Sequence, residues 1–334
     1  MGDPGPLGPK VQLGYEPDTS LGDWIRPNPD YKIPDVTLRD PKNKKMRVIT
    51  IGAGMSGIAM AYKIQEQMRN VEHQIYERNA DIGGTWFENR YPGCACDIPS
   101  HAYTFPWAPN PDWPRFLAHS KDIKIYADRV VDNFGLRKYI KLNHQIAGCY
   151  WDPERAKWKV KIEVVEPKTD WSSTASLKVI DTFQDECDFL NHATGILNRW
   201  DYPKIEGIEK FKGRIVHTAG WPDDFGAEQW KGQRIAVIGS GASSVQTVPT
   251  MQPHAKHLDI FVRTPVWFVQ IADNFGNNHE YSEEDKKEFR EHPEKLIAHI
   301  KNLENCFNIH WNHNLVGSPE QIAMKAMVEK RMKR

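Results

Sequence analysis

Residues 46–77 constrain the fold of this chain more than any other stretch. A short apolar run, residues 46–51, stops at a turn with glycines at 52, 54 and 57, and a segment with helical apolar periodicity follows at once. In a dinucleotide-binding crossover, Gly52 permits the tight turn, Gly54 lets the backbone approach a pyrophosphate, and Gly57 lets the helix lie close to its strand. The order therefore predicts a strand, turn, helix and second strand around a nucleotide site.

The predicted second strand, residues 73–77, ends on Glu77, twenty residues beyond Gly57. A carboxylate there can accept hydrogen bonds from both hydroxyls of an adenosine ribose, and it would repel a 2'-phosphate. We therefore expect FAD or NAD at this site rather than NADP. Glycines also occur in ordinary turns, so the alternative is a turn without a ligand.

A second glycine turn follows the apolar run 234–238, and the strand predicted over 257–262 ends at Arg263 and Thr264 instead of an acid. A guanidinium and a hydroxyl can bind a 2'-phosphate, which favours NADP; the alternative for Arg263 is a solvated strand-end cation. Two such sites in one chain indicate electron transfer between FAD and NADPH. The residues assigned to the second site are Gly239, Ser240, Gly241, Ala242, Ser243, Ser244, Gln246, Arg263 and Thr264.

Composition narrows the function classes. A chain of 334 residues suggests two domains or one large one, and its 44 basic residues balance 44 acidic ones. This balance gives no indication of nucleic acid or an anionic membrane as a partner, and no apolar run approaches the roughly 18 residues of a membrane span. Five scattered cysteines indicate reduced thiols rather than disulfides or a metal site. We expect a cytoplasmic protein with no evident protein partner.

The pattern after Glu77 predicts a loop over 81–93 that is unusually rich in aromatic residues. This loop begins at the end of the predicted strand, where open α/β sheets bind ligands. The alternative is that its aromatic residues form a small separate hydrophobic core under a long loop. Further along, a helix is predicted over 122–134, strands over 138–146, 157–165 and 178–183, and two helices capped by Ser282 and Ser318.

Residues 211–222 resemble the FxGxxxHxxxWP fingerprint of Baeyer–Villiger monooxygenases at every fixed position, between two glycine turns as in that family. Flavin-containing N- and S-oxygenating monooxygenases share the layout but usually lack the Trp-Pro ending. The loop 83–97 is similar to the family's flavin-side motif, residues 193–195 to its hinge, and the details to fungal members of biosynthetic pathways. The fingerprint residues are Phe211, Gly213, His217, Trp221 and Pro222.

The resemblance implies an enzyme that uses NADPH, FAD and O2 to insert one oxygen atom next to a ketone carbonyl, giving an ester or lactone. It implies that Asp97 orients an arginine that assists oxygen transfer, that Cys96 lies on the NADP side, and that His217 and Trp221 couple domain motions. Locally, Asp97 is equally well read as a loop carboxylate that caps amides. The FAD residues are Gly52, Gly54, Gly57, Glu77, Gly84, Thr85, Trp86, Asp97, Ile98 and Tyr103.

By the same resemblance, the fold class is α/β with two Rossmann-like domains, the second inserted in the first, and a helical insertion near the C-terminus. The expected units are an extended arm (1–45), an FAD domain with a β-rich insertion (46–195), a linker and NADP domain (196–281), and the helices (282–334). Family members are considerably longer, and no residue here matches the assisting arginine. Three possibilities stay open: part of a Baeyer–Villiger enzyme, an N- or S-oxygenating relative, or a flavoprotein without catalysis.

Overall fold

The computed structural model describes residues 45–171, 173, 175–197, 199–264, 266–267 and 278–332. The predicted arm lies outside the described residues apart from Lys45. The strands are β1 (Met46–Ile51), β2 (Val71–Tyr76), β3 (Ile140–Lys141), β4 (His144–Asp152), β5 (Lys157–Val165), β6 (Val179–Cys187), β7 (Phe189–His192), β8 (Arg234–Ile238) and β9 (His257–Phe261). The α-helices are α1 (Met55–Gln67), α2 (Thr85–Glu88), α3 (Ser120–Asn133), α4 (Ala227–Trp230), α5 (Ala242–Met251), α6 (Glu283–Glu291), α7 (Pro293–Ile309) and α8 (Pro319–Met332).

The first glycine turn lies inside a parallel sheet of order β3-β2-β1-β7. Strand β1 pairs with β2 along its whole length and with β7 on its other side. Helix α1 buries Ile58, Ala61 and Ile64, which recur at helical spacing and so form the face that packs on the sheet. The predicted strand, turn, helix and strand are confirmed.

A separate antiparallel sheet, β4-β5-β6, forms the β-rich insertion. Strand β5 has the predicted bounds, but the single strand predicted over 138–146 was wrong. Residues 136–139 form a 3-10 helix, β3 joins the parallel sheet, and β4 begins a different sheet. Asn143 separates the two strands with φ of +58°, a left-handed conformation that a continuous strand cannot contain.

The second glycine turn connects β8 to α5, and β8 pairs in parallel with β9. This two-stranded unit has the predicted order, and β8 has the predicted bounds. Its strands are open to solvent: Ile238 is 62% exposed and Phe261 59% exposed.

The helices near the C-terminus begin at the predicted caps. Ser282 and Asp285 form a reciprocal capping box, with the Asp285 amide donating to Ser282 Oγ over 3.0 Å. The Gln321 amide donates to Ser318 Oγ over 3.0 Å. The parallel sheet with α1 and α3 forms the first unit. Leu303 of α7 is buried in the core of this unit, so α7 packs on it. No helix in the described ranges is long and apolar enough to cross a membrane.

His101 is fully buried where the first unit meets the C-terminal helices. Its ring lies edge-to-face with Tyr281, Phe289 and His299, at centroid distances of 4.7, 5.1 and 4.9 Å. Neither ring nitrogen has a hydrogen-bond partner among the described residues. Burial, with a smaller contribution from His299, lowers the pKa of His101 to about 3. The ring is therefore neutral at pH 7.

We expect the chain to lose stability as the pH falls below about 6.5, because the unfolded chain then binds a proton that the folded His101 rejects. Because the pKa of His101 is lowered on folding, its contribution to stability is fully present above pH 6.5. That contribution is lost as the pH falls towards the pKa of His101 in the folded chain. Replacing His101 with leucine should reduce the slope of unfolding free energy against pH by about 1.4 kcal/mol per unit between pH 6 and 4. Urea unfolding at a series of pH values measures this. Equal slopes for the unmodified chain and the His101→Leu variant would contradict the lowered pKa of His101. His73, whose pKa is about 4, leaves a residual slope in both.

Candidate functional site

A cavity of about 440 Å³ lies where the first glycine turn, the end of β2 and the aromatic loop meet. It is at the carboxyl edge of the parallel sheet, where open α/β sheets bind their ligands. The sequence-predicted FAD residues that line it are Gly52, Gly54, Glu77, Gly84, Thr85, Trp86 and Tyr103. Segments distant in sequence thus contribute to one site.

Two glycines form a cavity wall without side chains. A Cβ atom on Gly84 would lie 3.0 Å from the Gly54 Cα, and Gly84 has φ of +54°. The two backbones are therefore in contact, and the space beside them stays free for a ligand. No side chain of the described chain caps the first turn of α1, and Met55 and Ser56 line the cavity. Uncapped amides at a helix N-terminus suit a phosphate group.

Glu77 is 5% exposed, and two backbone amides fix its carboxylate. The Ala53 amide donates to Oε2 over 2.7 Å, and the Asn79 amide donates to Oε1 over 2.9 Å. Burial raises the pKa of Glu77, and the two amides oppose that rise. Each carboxylate oxygen keeps a further lone pair, so Glu77 can still accept from ribose hydroxyls.

The aromatic loop forms another wall of the cavity. Trp86 Nε1 donates to the Tyr103 hydroxyl over 3.1 Å, and the two rings are edge-to-face at 5.5 Å. Glu88, which the sequence reasoning missed, accepts from Arg78 over 2.6 Å and from Asn79 Nδ2 over 2.8 Å. These bonds join the aromatic loop to the end of β2, so Glu77 and the aromatic wall are held together.

Three of the predicted FAD residues, and Cys96 of the predicted NADP set, do not line the cavity. Gly57 packs beneath the turn, where a Cβ would lie 2.0 Å from the Gly52 carbonyl oxygen. Asp97 is exposed, and Ile98 packs against the core of the first unit. Cys96 is buried, and burial raises the pKa of its thiol to about 11, so it is a neutral thiol at pH 7. The roles of these four residues stay predictions.

The second glycine turn is open to solvent. Gly239 has φ of +105°, and nothing lies within 4 Å of a Cβ placed on Gly239 or Gly241. Arg263 and Thr264 are exposed at the end of β9. Ser240 lies within the glycine turn, and residues 242–244 are the first three residues of α5. The Gln246 side chain is hydrogen-bonded to the loop before Asp97, as described below.

The fingerprint residues lie between the two glycine units. Trp221 is buried with Trp230 and Met251, and its Nε1 donates to the Phe225 carbonyl over 2.8 Å. His217 stacks on Trp200 at 4.6 Å, and its Nδ1 accepts from the Ala219 amide over 3.1 Å. Burial lowers the pKa of His217. Pro222 is buried beside Trp221, whereas Phe211 is exposed and leaves no room for a Cβ at Gly213.

Sequence reasoning missed several residues that line the cavity. Arg78 and Asn79 directly follow Glu77 in the sequence, so their place in the cavity lining could have been predicted from that position. His144, Gln145 and Ile146 were missed because the predicted strand ran through them. Arg90 of the aromatic loop was also missed; its Nη1 donates to both carboxylate oxygens of Asp223 in the linker, over 2.8 and 2.9 Å.

Comparison with known proteins is consistent with this geometry. Residues 50–120 match the family model of an NAD(P)-binding Rossmann-like domain. The FAD-binding monooxygenase moxY of Dothistroma septosporum is 49% identical over 294 residues, which is 87% of this chain and 46% of the relative. A Baeyer-Villiger monooxygenase of Streptomyces coelicolor is 37% identical, over 69% of this chain and 40% of its own length.

A crystal structure of OTEMO in complex with FAD and NADP superposes with a TM-score of 0.62 at 30% identity. The match covers 78% of this chain and 45% of that one. The chain spans less than half of the length of these two curated relatives. In both sequence and fold, and over most of its length, this chain is therefore homologous to FAD-binding monooxygenases and Baeyer–Villiger monooxygenases.

Proposed function

We propose that this chain binds FAD in the 440 Å³ cavity and NADP(H) at the second glycine turn, as part of a monooxygenase. The observation that carries the proposal is the cavity itself. The glycine turn, Glu77 and the aromatic loop were each predicted from separate stretches of sequence, and they line one space of suitable chemistry. The relatives' names and the FAD and NADP in the OTEMO complex support the same pair of cofactors.

In this proposal, the chain's own residues bind and orient the FAD cofactor. The uncapped amides at the start of α1 hold the pyrophosphate, and Glu77 accepts from the ribose hydroxyls. Trp86 and Tyr103 form an aromatic wall that keeps water away from part of the cavity. Bound FAD would supply the redox chemistry by accepting a hydride from NADPH and passing one oxygen atom of O2 to the substrate.

For the reaction, we propose oxygen insertion next to the carbonyl of a small-molecule ketone, in a fungal type of secondary metabolism. The Baeyer-Villiger monooxygenases among the relatives support the reaction type, and the fungal moxY supports the setting. The Trp-Pro ending of the fingerprint favours this reaction over N- or S-oxygenation. Residues 46–195 and 196–281 are proposed as the FAD and NADP domains.

The test uses the purified chain with FAD, NADPH and a panel of cyclic and polycyclic ketones, followed by mass spectrometry. We expect saturable FAD binding, NADPH oxidation that ketones accelerate, and a product heavier by one oxygen atom. Turnover of amines or thioethers, with no reaction on ketones, would favour N- or S-oxygenation. Bound FAD that NADPH does not reduce would indicate a flavoprotein without catalysis, and the proposed activity would then fail.

The proposed NADP preference rests on Arg263, and its removal gives a direct prediction. Arg263→Ala should weaken NADPH binding by about 10–100-fold, since a hydrogen bond to a charged group contributes about 1.5–3 kcal/mol. NADH affinity should change little, because NADH lacks the 2'-phosphate. Titration calorimetry with both nucleotides measures the difference. Arg234→Ala, which removes an exposed arginine at the opposite end of the adjacent strand, is the control. Equal losses for NADPH and NADH would refute the assignment.

A further inference from the structure

The Gln246 side chain makes three hydrogen bonds to the loop of the first unit. Its Nε2 donates to the Ala95 carbonyl over 2.9 Å, and its Oε1 accepts from the Ala95 amide over 3.2 Å. The same Oε1 accepts from the Tyr91 hydroxyl over 2.9 Å. One side-chain amide thus satisfies both polar groups of a single loop residue, as a neighbouring β-strand would.

The surfaces around these bonds are closely fitted. Gly93 has φ of +77°, and a Cβ there would lie 2.4 Å from Thr250 Oγ1 and 2.6 Å from the Gln246 carbonyl oxygen. The loop therefore lies directly on α5, with no space for a side chain between them. Tyr91 and Cys94 are buried there with Met251 of the same helix. Such a fit holds the loop at a fixed distance from α5.

The position of Gln246 connects the two proposed nucleotide sites. Helix α5 begins at Ala242, immediately after the second glycine turn, and Gln246 lies about one turn further on. At the other end, Ala95 is two residues before Asp97, and bonds from 94–96 to 118–120 continue into the N-terminus of α3. The three bonds of Gln246 therefore link α5 to the loop backbone two residues before Asp97.

We propose that Gln246 is a positioning residue that holds the loop 91–97 on α5, so that nucleotide binding at the second turn orders the backbone at Asp97. The coupling part of this inference rests on the proposed NADP site, whereas the attachment of the loop does not. Gln246 then acts through the loop, rather than through contact with the nucleotide.

The attachment is tested by amide hydrogen exchange of the nucleotide-free chain, resolved by mass spectrometry. In Gln246→Ala, exchange at residues 93–97 should rise at least about tenfold, because the Ala95 amide loses its acceptor. Thr250→Ala is the control, because it changes the same helix face without touching the three bonds. Gln246→Glu keeps the acceptor but loses the donor; it should give an intermediate rise, and it serves if the alanine variant does not fold. Exchange equal to that of the unmodified chain in both Gln246 variants would overturn the proposal.

The coupling is tested by repeating the exchange with saturating NADP+. In the unmodified chain and in Thr250→Ala, NADP+ should slow exchange at 93–97, whereas in Gln246→Ala this protection should disappear even at NADP+ concentrations that saturate that variant. If Gln246 had only a structural role, Gln246→Ala would weaken NADP+ binding, but NADP+ would still slow exchange at residues 93–97. Equal protection in both variants would overturn the coupling. If NADP+ does not bind the unmodified chain, the proposed function and the coupling both fail, and the nucleotide-free exchange still decides the attachment.

Discussion

Replacing Gly57 with alanine is expected to destabilise this chain and to abolish measurable FAD binding at micromolar concentrations. Gly57 lies in the first turn of α1, where alanine normally favours the helix over glycine by about 1 kcal/mol. Here the added Cβ would lie 2.0 Å from the Gly52 carbonyl oxygen and 3.1 Å from its carbon. The clash is with backbone, which has no alternative rotamer, so the glycine turn itself must move.

The expected cost of Gly57→Ala is about 1–3 kcal/mol of unfolding free energy, as for overpacked cores. Because the displaced amides are those proposed to hold the pyrophosphate, FAD affinity should fall by about 100-fold or more, equivalent to two hydrogen bonds to a charged group. Urea unfolding and flavin fluorescence titration measure the two effects. Gly226→Ala is the matched control, since its Cβ would meet only the end of the Gln229 side chain at 3.4 Å. Unfolding free energy at or above that of the unmodified chain would refute this account.

The second large effect is expected for Glu77→Ala. The substitution leaves the Ala53 and Asn79 amides without their acceptor in a site where Glu77 is 5% exposed. An unsatisfied buried donor costs about 1–3 kcal/mol, so we expect a loss of about 2–5 kcal/mol together with most of the FAD affinity. Removal of the buried charge offsets part of this loss, because burial raises the pKa of Glu77.

Glu72→Ala is the control for Glu77→Ala. Glu72 is on β2, the strand that ends just before Glu77, but it is exposed. Its ion pair with Arg47 is at the surface, where such pairs contribute less than about 1 kcal/mol. Thermal unfolding and FAD titration of both variants measure the difference. If the two substitutions have the same effect, Glu77 does not hold the glycine turn.

The sequence predicted local structure best where one stretch serves one element. Strand β5 has its predicted bounds, and α6 and α8 begin after the predicted caps, because apolar period and capping chemistry act over a few residues. The prediction failed over 138–146, where consecutive residues join two different sheets. The local pattern suits a strand on both sides of Asn143, and only the tertiary arrangement assigns them different partners.

For the site, the sequence predicted several of the residues that line the cavity but not the full set. Glu77 and the two glycine turns follow from spacing alone, because a nucleotide requires glycine and an acid at fixed places in a crossover. Glu88 has no such signature: its role depends on Arg78 and Asn79 arriving from the end of β2. The distance between Asp97 and the cavity is likewise set by how the loop packs, and no spacing rule gives it.

By itself, the sequence determined the two glycine units, the acid at the first and the arginine at the second, and the fingerprint between them. These features come from backbone conformation and side-chain charge, which act locally. Only the tertiary structure decided that Gln246 bonds to Ala95, that Arg90 pairs with Asp223, and that His101 is buried under the C-terminal helices. Those contacts join residues far apart in the chain. They depend on how whole elements pack, and a local pattern contains no information about that packing.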